Sequence, residues 1–201
     1  MAGLAEIKQQ EREARRRLIL AAAQKLFAEK DFKSVTVREI AKTAGVSIGT
    51  IYNYYENLDE LFVDVFIRGA KEITELLDAE AQEDRPCSLA RLCEVYIAYL
   101  NENMTFYQMM SHFMLGGRLS EEATQRLNRV TRELLDRIAA TIEAAGIKTE
   151  TRLTAQALFS ALNGIMISYA TYPGRSLDEI QRHTARLARL VANLFLQQAK
   201  N

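Results

Sequence analysis

The chain has 201 residues, of which 48% are hydrophobic, and its 26 basic and 26 acidic side chains give a formal net charge of zero. This length allows one or two domains with a substantial core. Only two prolines and nine glycines interrupt the sequence, and no sustained alternation of apolar and polar residues indicates strands, so an all-α fold is predicted. No stretch approaches the roughly 20 apolar residues of a membrane span, and the start lacks a signal-peptide core. We therefore expect a cytoplasmic protein without membrane association.

The charge is distributed unevenly along the chain. From Lys8 to Tyr55 there are ten Lys or Arg residues and five Asp or Glu residues, so the remainder carries the opposite excess. A basic segment joined to an acidic body is typical of a small DNA-binding domain on a larger domain. The run Arg12, Arg15, Arg16 and Arg17 is either a solvated basic helix start or a set of phosphate contacts, and we favour the contacts.

The sequence gives little support for a metal site or an enzyme. Cys87 and Cys93 are not in CxxC spacing, and His112 and His183 are the only histidines; both cysteines are expected to be reduced packing residues. There is no glycine loop that would cradle a phosphate and no nucleophile–base set. Neither catalysis nor a cofactor is expected.

Two short helices joined by a glycine turn are predicted from Thr36 onwards. Thr36 is placed to cap the first helix, with Glu39 completing a capping box. Gly45 ends that helix, because glycine adopts positive φ without a Cβ penalty, and Ser47 can cap the second. The second helix is expected at Ile48 to Tyr55.

The outer faces of this second helix are polar and aromatic, whereas Ile51 and Tyr55 face inward. A helix, a turn with glycine and such a helix together predict a helix-turn-helix, which places its second helix in the major groove of DNA. The alternative is a helical hairpin with a tyrosine-rich core face. It is disfavoured because one face cannot bury Tyr52, Tyr54 and Tyr55 together.

Residues 17 to 61 resemble the DNA-binding domain of the tetracycline-repressor (TetR) family of bacterial transcriptional regulators. The resemblance lies in the segments LILAAAQKLFAEKDF, TVREIAKTAGVSIGTIYNYY and LDELF. It implies an N-terminal three-helix DNA-binding domain at residues 1–57 and a helical effector-binding and dimerisation domain at residues 58–201, with about nine helices in all. Asp31 stands where the family usually has glycine, so slight strain is expected there.

The resemblance also implies which residues meet DNA. The positions that approach base edges in the family are Arg38, Ile48, Gly49, Thr50 and Tyr52. Thr36, Asn53 and Tyr54 have the chemistry of phosphate partners, and Ser47 and Arg17 are included in the predicted DNA surface. A lysine that holds a phosphate in the family is replaced here by Glu56-Asn57-Leu58-Asp59, so only the helix dipole and backbone amides remain for that contact.

Elsewhere, the hydrophobic spacing predicts further helices. Residues 1–11 lack a periodic face and are expected to be disordered or frayed, and the first helix then carries Leu18, Ile19, Ala22, Leu26 and Phe27 at core spacing and runs to about Lys30. The remaining helices are predicted at about Leu58–Ala81, Ser88–Asn101, Met104–Leu115, Ser120–Ala145, Glu150–Thr171 and Ser176–Ala199. Asp84-Arg85-Pro86, Gly116-Gly117 and Tyr172-Pro173-Gly174 are predicted breaks.

The helix Met104–Leu115 is rich in methionine and aromatic residues, which suit either an irregular core or a ligand pocket. The resemblance implies that a small, largely apolar effector binds among the body helices. The implied lining residues are Tyr96, Tyr99, Met110, Phe113, Phe159, Asn163, Met166 and Tyr169. His112 is either a ligand donor or a packing residue.

The last two helices carry a ridge of small residues, Ser160, Gly164 and Ser168, which would allow close approach of another helix. Leu187, Leu190, Val191 and Leu194 follow on the last helix. The resemblance implies homodimerisation through these two helices. The expected function is a homodimeric repressor that an apolar effector releases from a pseudo-palindromic operator, and the alternative is a carrier or scavenger of hydrophobic molecules with a DNA-binding head.

Overall fold

The computed structural model describes residues 3–80, 87–115, 119–147 and 150–198. Within these ranges the chain forms nine α-helices, one 3₁₀ turn and no strand, which confirms the predicted all-helical fold. The helices are α1 (Leu4–Glu29), α2 (Val37–Ala44), α3 (Ile48–Tyr52), α4 (Leu58–Ala79), α5 (Leu89–Glu102), α6 (Met104–Met114), α7 (Glu121–Ala144), α8 (Thr151–Tyr169) and α9 (Leu177–Gln198). The predicted breaks at residues 84–86 and 116–117 lie outside the described ranges.

The chain divides into two compact units. The first consists of Met1–Arg68 and Thr105–Arg126, and the second of Gly69–Met104 and Leu127–Asn201. Both α4 and α7 contribute residues to each unit. In the first unit α1 packs on α2 and α2 on α3, whereas in the second α5 and α8 pack on α9. The domain boundary predicted at residues 57 and 58 stays a prediction.

The first helix begins earlier than expected, because residues 4–11 are helical rather than disordered. Gly3 precedes the helix, and its backbone N–H donates to the Glu6 carboxylate at 3.0 Å. The segment that follows is rich in Ala, Glu, Lys and Gln, which favour helix without requiring a buried face. Leu18 was wrongly predicted as core. It is 55% exposed because the buried stripe of α1 runs through Ile19 and Phe27 instead.

Asp31 does not adopt the strained conformation that was predicted. Its φ is −52°, and its carboxylate accepts a hydrogen bond from the Lys33 backbone N–H at 3.0 Å. Asp31 therefore caps a 3₁₀ turn at Phe32–Ser34. The turn places the Phe32 ring in the core, in an edge-to-face contact with Phe62 at 5.5 Å. The Asp31 side chain thus caps the turn at the position where the family usually has glycine.

The helix α3 ends at Tyr52, three residues before the predicted end. The Tyr54 N–H bonds the Ile51 carbonyl at 2.9 Å, a tight turn that still brings Tyr55 into the core at 5% exposure. Asn57 then caps α4 through a hydrogen bond from the Glu60 N–H at 3.0 Å. Ile51 and Tyr55 both face inward, as predicted.

In the second unit, buried polar groups join the helices. Tyr96 on α5 donates its hydroxyl to Asn163 on α8 at 3.3 Å, and Asn163 donates to the Phe159 carbonyl at 2.8 Å. Asn101 on α5 donates to the Thr184 hydroxyl on α9 at 2.9 Å. These bonds link α5 to α8 and α9 and satisfy polar groups whose burial would otherwise be costly, although within the described ranges the buried Asn101 Oδ1 has no hydrogen-bond partner.

Candidate DNA-binding surface

Local sequence signals set the geometry of the α2–α3 turn. Gly45 has φ +68°, which a side chain would oppose, and the Val46 N–H closes the end of α2 by bonding the Ala41 carbonyl at 3.0 Å. Ser47 then caps α3, because its hydroxyl oxygen accepts from the Thr50 N–H at 3.0 Å. This confirms the predicted helix, glycine turn and capped second helix.

The exposed side of this turn carries the residues predicted to meet DNA. Tyr52 is 53% exposed and Ile48 is 42% exposed, although both are large and apolar or aromatic. Arg38, Gly49 and Asn53 are exposed and Thr50 is half-buried. The α2–α3 segment therefore presents aromatic, hydroxyl, amide and guanidinium groups to solvent, which are suited to base edges and phosphates.

The N-terminus of α2 is held by a three-residue cluster. The Thr36 N–H and hydroxyl donate to the Glu39 carboxylate at 2.9 and 2.8 Å, and the Lys30 ammonium lies 2.5 Å from the same carboxylate. The Lys30 hydrogen bond first, and those of Thr36 next, lower the pKa of Glu39 to about 2. The capping box is confirmed, and Lys30 adds an ion pair to it.

A buried carboxylate anchors the end of the recognition segment. Asp64 on α4 is 5% exposed and accepts the Tyr55 hydroxyl at 2.8 Å and the Arg16 Nε at 2.9 Å. Arg126 at the start of α7 forms a second ion pair with Asp64. Burial is the main cause that raises the pKa of Tyr55, so its hydroxyl remains a donor. Asp64 thus connects α1 and α7 with Tyr55 in the turn after α3.

The arginines near the start of α1 differ in their surroundings. Arg16, which is half-buried, bonds the buried Asp64, a role that the sequence did not predict. The Arg12 guanidinium lies 5.8 Å from the centre of the Tyr54 ring, a cation–π distance. Arg15 and Arg17 are exposed.

Backbone amides at the start of α4 were predicted to remain available for a DNA phosphate. One of them, the Glu60 N–H, already donates to the Asn57 side chain.

The residues predicted to line an effector site fall into both units. In the first unit, Met110 is buried, and the His112 ring lies 5.8 Å from Phe32 and 5.6 Å from Phe113. Phe66 packs on Phe113 at 5.6 Å. These residues of α6 belong to an aromatic cluster around the first unit's core.

In the second unit, five of the predicted lining residues are buried in one core. They are Tyr96, Tyr99, Phe159, Asn163 and Met166. The Tyr96 and Phe159 rings meet edge to face at 6.0 Å, and the Tyr99 hydroxyl donates to the Gly69 carbonyl at 2.8 Å. Burial raises the pKa of Tyr99 above its ordinary value. Tyr169 lies apart from them, stacked on Tyr172.

The predicted dimer residues lie on an exposed stripe of α8 and α9. Ser160 and Ser168 are exposed, and a Cβ added at Gly164 would meet no atom within 4 Å. Leu190 and Leu194 are 54% and 53% exposed, whereas Leu187 and Val191 are half-buried. Leu153 and Ile167, which were not predicted, extend the stripe at 61% and 65% exposure. The stripe is both apolar and open.

No helix in the described ranges is both long and apolar enough to cross a membrane. No group of three His, Cys, Asp or Glu residues in those ranges is arranged to hold a metal ion. Cys87 and Cys93 are not joined in a disulfide; Cys93 is buried, as expected of a packing residue, whereas Cys87 is half-buried.

The chain is similar in sequence to bacterial transcriptional regulators. Residues 19–65 match the family described as bacterial regulatory proteins, tetR family. The uncharacterized HTH-type transcriptional regulator YhgD of Bacillus subtilis is 32% identical over 136 residues, which are 67% of this chain and 70% of YhgD. HbdR of Aromatoleum sp., also an HTH-type transcriptional regulator, is 33% identical over 43% of this chain and 38% of its own length.

Solved structures share the fold at low sequence identity. A transcriptional regulator from Rhodococcus sp. RHA1 has a TM-score of 0.71 and 20% identity, over 90% of this chain and 96% of that one. FadR from Bacillus subtilis, solved in complex with stearoyl-CoA, has a TM-score of 0.69 and 20% identity, over 90% of this chain and 98% of FadR.

Proposed function

The chain belongs to the tetR family of bacterial regulatory proteins and is a DNA-binding transcriptional regulator, and we propose that it is a repressor that binds a two-fold operator as a homodimer. A small, largely apolar effector then releases it from the operator. The observation that carries the proposal is the exposed aromatic and polar surface of α2 and α3. This surface is fixed by the caps at Thr36 and Ser47 and by the Tyr55–Asp64 hydrogen bond.

Sequence reading would come from the residues of α2 and α3 that are open to solvent. Arg38 has the two parallel donors that match the acceptors of guanine, and Thr50 can bond a base or touch a thymine methyl. Gly49 brings no side chain between α3 and the groove. Tyr52 would contribute the largest contact area, because more than half of its surface is exposed.

Register on the DNA would come from phosphate contacts. The candidates are Arg17, Thr36, Asn53 and Tyr54, of which Arg17 is a fully charged donor on an exposed face of α1. Such contacts hold the protein on any sequence and release counterions, so binding through them depends strongly on salt. Arg17→Ala should therefore weaken binding to all duplexes by a similar factor.

Fluorescence anisotropy with DNA that flanks the protein's own gene tests this proposal. We expect specific binding at physiological salt, and weaker binding to a random duplex of the same length. Arg17→Ala should flatten the salt dependence, whereas Arg132→Ala, which removes an exposed arginine of α7, should leave it unchanged. Equal affinity for the flanking DNA and the random duplex would contradict the proposed specific repression.

Homodimerisation is supported by the exposed stripe of α8 and α9. Ile167, Leu190 and Leu194 each expose more than half of their surface, and soluble monomers seldom expose large apolar patches. Gly164 and its serine neighbours at positions 160 and 168 would let a partner helix approach closely. A two-fold dimer then presents two recognition helices to two half-sites.

The effector would bind among the buried residues of the second unit. These residues are buried in one core: Tyr96, Phe159 and Met166 would provide apolar walls, and Asn163 would provide one amide for a polar end group. The Tyr96–Asn163 hydrogen bond is 3.3 Å long, so a ligand oxygen that accepts from the Tyr96 hydroxyl would replace a weak contact. The structural neighbour FadR was solved with stearoyl-CoA, which makes long-chain acyl compounds the first class to test.

Release requires that the effector prefer a conformation that binds operator poorly. An effector with equal affinity for the operator-binding conformation and the other one would not change their populations. A hundredfold loss of operator affinity corresponds to about 2.7 kcal/mol of coupling. Operator DNA must then weaken effector binding by the same factor.

Thermal-shift and calorimetric screens of acyl and aromatic compounds would supply the effector. We expect Asn163→Leu to weaken its binding and Asn128→Leu, at an exposed position of α7, to leave it unchanged. An effector that binds operator-bound and free protein equally would contradict its proposed role in release. A blank screen would contradict the choice of ligand class, without bearing on DNA binding.

A further inference from the structure

A cavity of about 420 Å³ lies at the connection between α8 and α9. It is lined by Tyr169 and Tyr172 from the end of α8 and the turn that follows, and by side chains of Arg175 and the first turns of α9. This volume falls within the range of small-molecule sites, roughly 300–1,000 Å³. Tyr169 is the one predicted effector-lining residue that lines this cavity, whereas the buried core residues proposed above for the effector do not, so the cavity is distinct from that core within the second unit.

One wall of the cavity is aromatic. The Tyr169 and Tyr172 rings stack with centroids 5.5 Å apart and planes 17° from parallel, and the His183 ring lies 4.6 Å from Tyr169. Tyr172 is 47% exposed, so the stack remains open to solvent. An exposed aromatic face stacks on any planar ring, nucleic acid bases included, with little dependence on the ring's identity.

The other wall is cationic. Three arginines and one glutamate line the cavity, namely Arg175, Arg182, Arg186 and Glu179. Glu179 already accepts the Ser176 N–H at 2.9 Å and the Ser176 hydroxyl at 3.1 Å, and Arg175 reaches it only at 3.5 Å. Both Ser176 groups bond one carboxylate oxygen of Glu179 and Arg175 lies near the other, so Glu179 offsets one of the three arginine charges and the lining keeps a positive excess.

Arg186 is the arginine best placed to take a ligand. Arg182 pairs with Asp178 at 2.7 Å, whereas no acidic side chain in the described ranges lies within ion-pairing distance of Arg186. The planar fork of a guanidinium matches phosphate oxygens in a bidentate geometry. Arg186 and Arg175 thus supply anion-binding groups beside the aromatic wall.

From this juxtaposition we propose that the cavity between α8 and α9 binds a small molecule with a planar ring joined to phosphate groups, the chemistry of a nucleotide. The ring would stack on Tyr172, and the phosphates would meet Arg175 and Arg186. His183 on α9 is followed on the same helix face by Leu187 and Leu190, part of the proposed dimer stripe. A second copy of the chain is therefore the rival occupant of this surface.

Titration calorimetry of the full-length protein with ATP, adenosine and pyrophosphate tests the proposal at physiological salt. We expect saturable binding of ATP, and at least tenfold weaker binding of adenosine, which lacks phosphate, and of pyrophosphate, which lacks the ring. Tyr172→Ala and Arg186→Gln should each weaken ATP binding about tenfold or more. Arg132→Gln, which removes an exposed arginine from α7, is the matched control and should bind as the wild type does.

Three results would overturn the proposal. The first is no binding of ATP, and the second is pyrophosphate binding as tight as ATP, which would reduce the cavity to a general anion site. The third is a monomeric Arg186→Gln protein in sedimentation experiments in which the wild type is a dimer, which would show that Arg186 contacts a second copy of the chain. None of these experiments measures operator binding, so their results do not decide whether the proposed DNA-binding function is correct.

Discussion

The exposed faces of the two units differ in chemistry. On α2 and α3 the exposed groups are mainly polar or aromatic, and the apolar side of each helix is covered, since Ile40 and Ile51 are 0% and 2% exposed. On α8 and α9 the apolar side is itself exposed, with Ile167 at 65% and Leu190 at 54%. A covered core with a polar outer face suits a charged partner such as DNA, whereas an uncovered apolar stripe suits a second apolar surface.

The change expected to have the largest effect is Gly164→Phe on the α8 stripe. A Cβ added at this position would meet no atom within 4 Å, so we expect the helical fold to persist, but the ring would force partner helices apart. We expect a monomer at micromolar concentration and at least a hundredfold loss of operator affinity, because one head then binds without the other. Sedimentation and anisotropy give the two readouts.

Glu143→Phe is the control for Gly164→Phe, because it adds the same ring at an exposed position of α7. It should leave both the dimer and the operator affinity unchanged. A Gly164→Phe protein that remained a dimer with wild-type affinity would remove α8 from the interface.

The next largest effect is expected from Asp64→Asn. The substitution leaves Arg16 and Arg126 without their buried carboxylate, although their side chains are 39% and 28% exposed and keep some access to water. We expect a loss of about 2–3 kcal/mol in the free energy of unfolding, measured with urea. Asp136→Asn breaks an exposed ion pair with Arg152 and should cost below about 0.5 kcal/mol. Equal losses of unfolding free energy in the two variants would contradict the anchoring role of Asp64.

Tyr52→Ala should act on DNA binding and not on the fold. Its ring is 53% exposed, so truncation leaves the core intact while removing a large contact from the recognition surface. We expect operator affinity to fall by about 1–3 kcal/mol, with an unchanged melting temperature. Leu76→Ala, a comparable truncation of a 46% exposed side chain on α4, should not change operator affinity. Unaltered binding by Tyr52→Ala would place DNA on another surface.

The smallest effect is expected from Glu39→Gln, and it should depend on pH. The pKa of Glu39 is lowered to about 2 in the folded protein, below its ordinary value of 4.5, so its contribution to stability is present above pH 4.5 and is lost as the pH falls towards 2. The difference in stability between wild type and Glu39→Gln should therefore shrink over that interval. Urea denaturation at several pH values measures it, and a constant difference would contradict the Lys30–Glu39 ion pair.

The elements that the sequence predicted correctly depend on short-range signals. The capping box of Thr36 and Glu39, the positive φ of Gly45 and the cap by Ser47 each involve residues at most three positions apart. Their geometry follows from the local backbone and from side-chain caps within one helical turn. The early start of α1 and the early end of α3 were not predicted, because hydrophobic periodicity does not detect an exposed helix or a final tight turn.

The anchoring cluster was not predicted because it joins distant parts of the chain. Arg16, Asp64 and Arg126 come from α1, α4 and α7, and no spacing rule connects them. The burial of Asp64 also could not be foreseen, since an aspartate on a helix is usually solvated. Likewise, the pattern of α6 could not show that His112 and Phe113 pack around Phe32 and Phe66.

In the proposed complex, two copies of the chain, joined through α8 and α9, hold two recognition surfaces on one two-fold DNA site. The most direct measurement is the affinity and stoichiometry of wild-type protein on an intact operator and on a duplex with only one half-site. We predict two chains on the intact site and at least a hundredfold weaker binding to the half-site. One chain per site, with equal affinity for both duplexes, would contradict this arrangement.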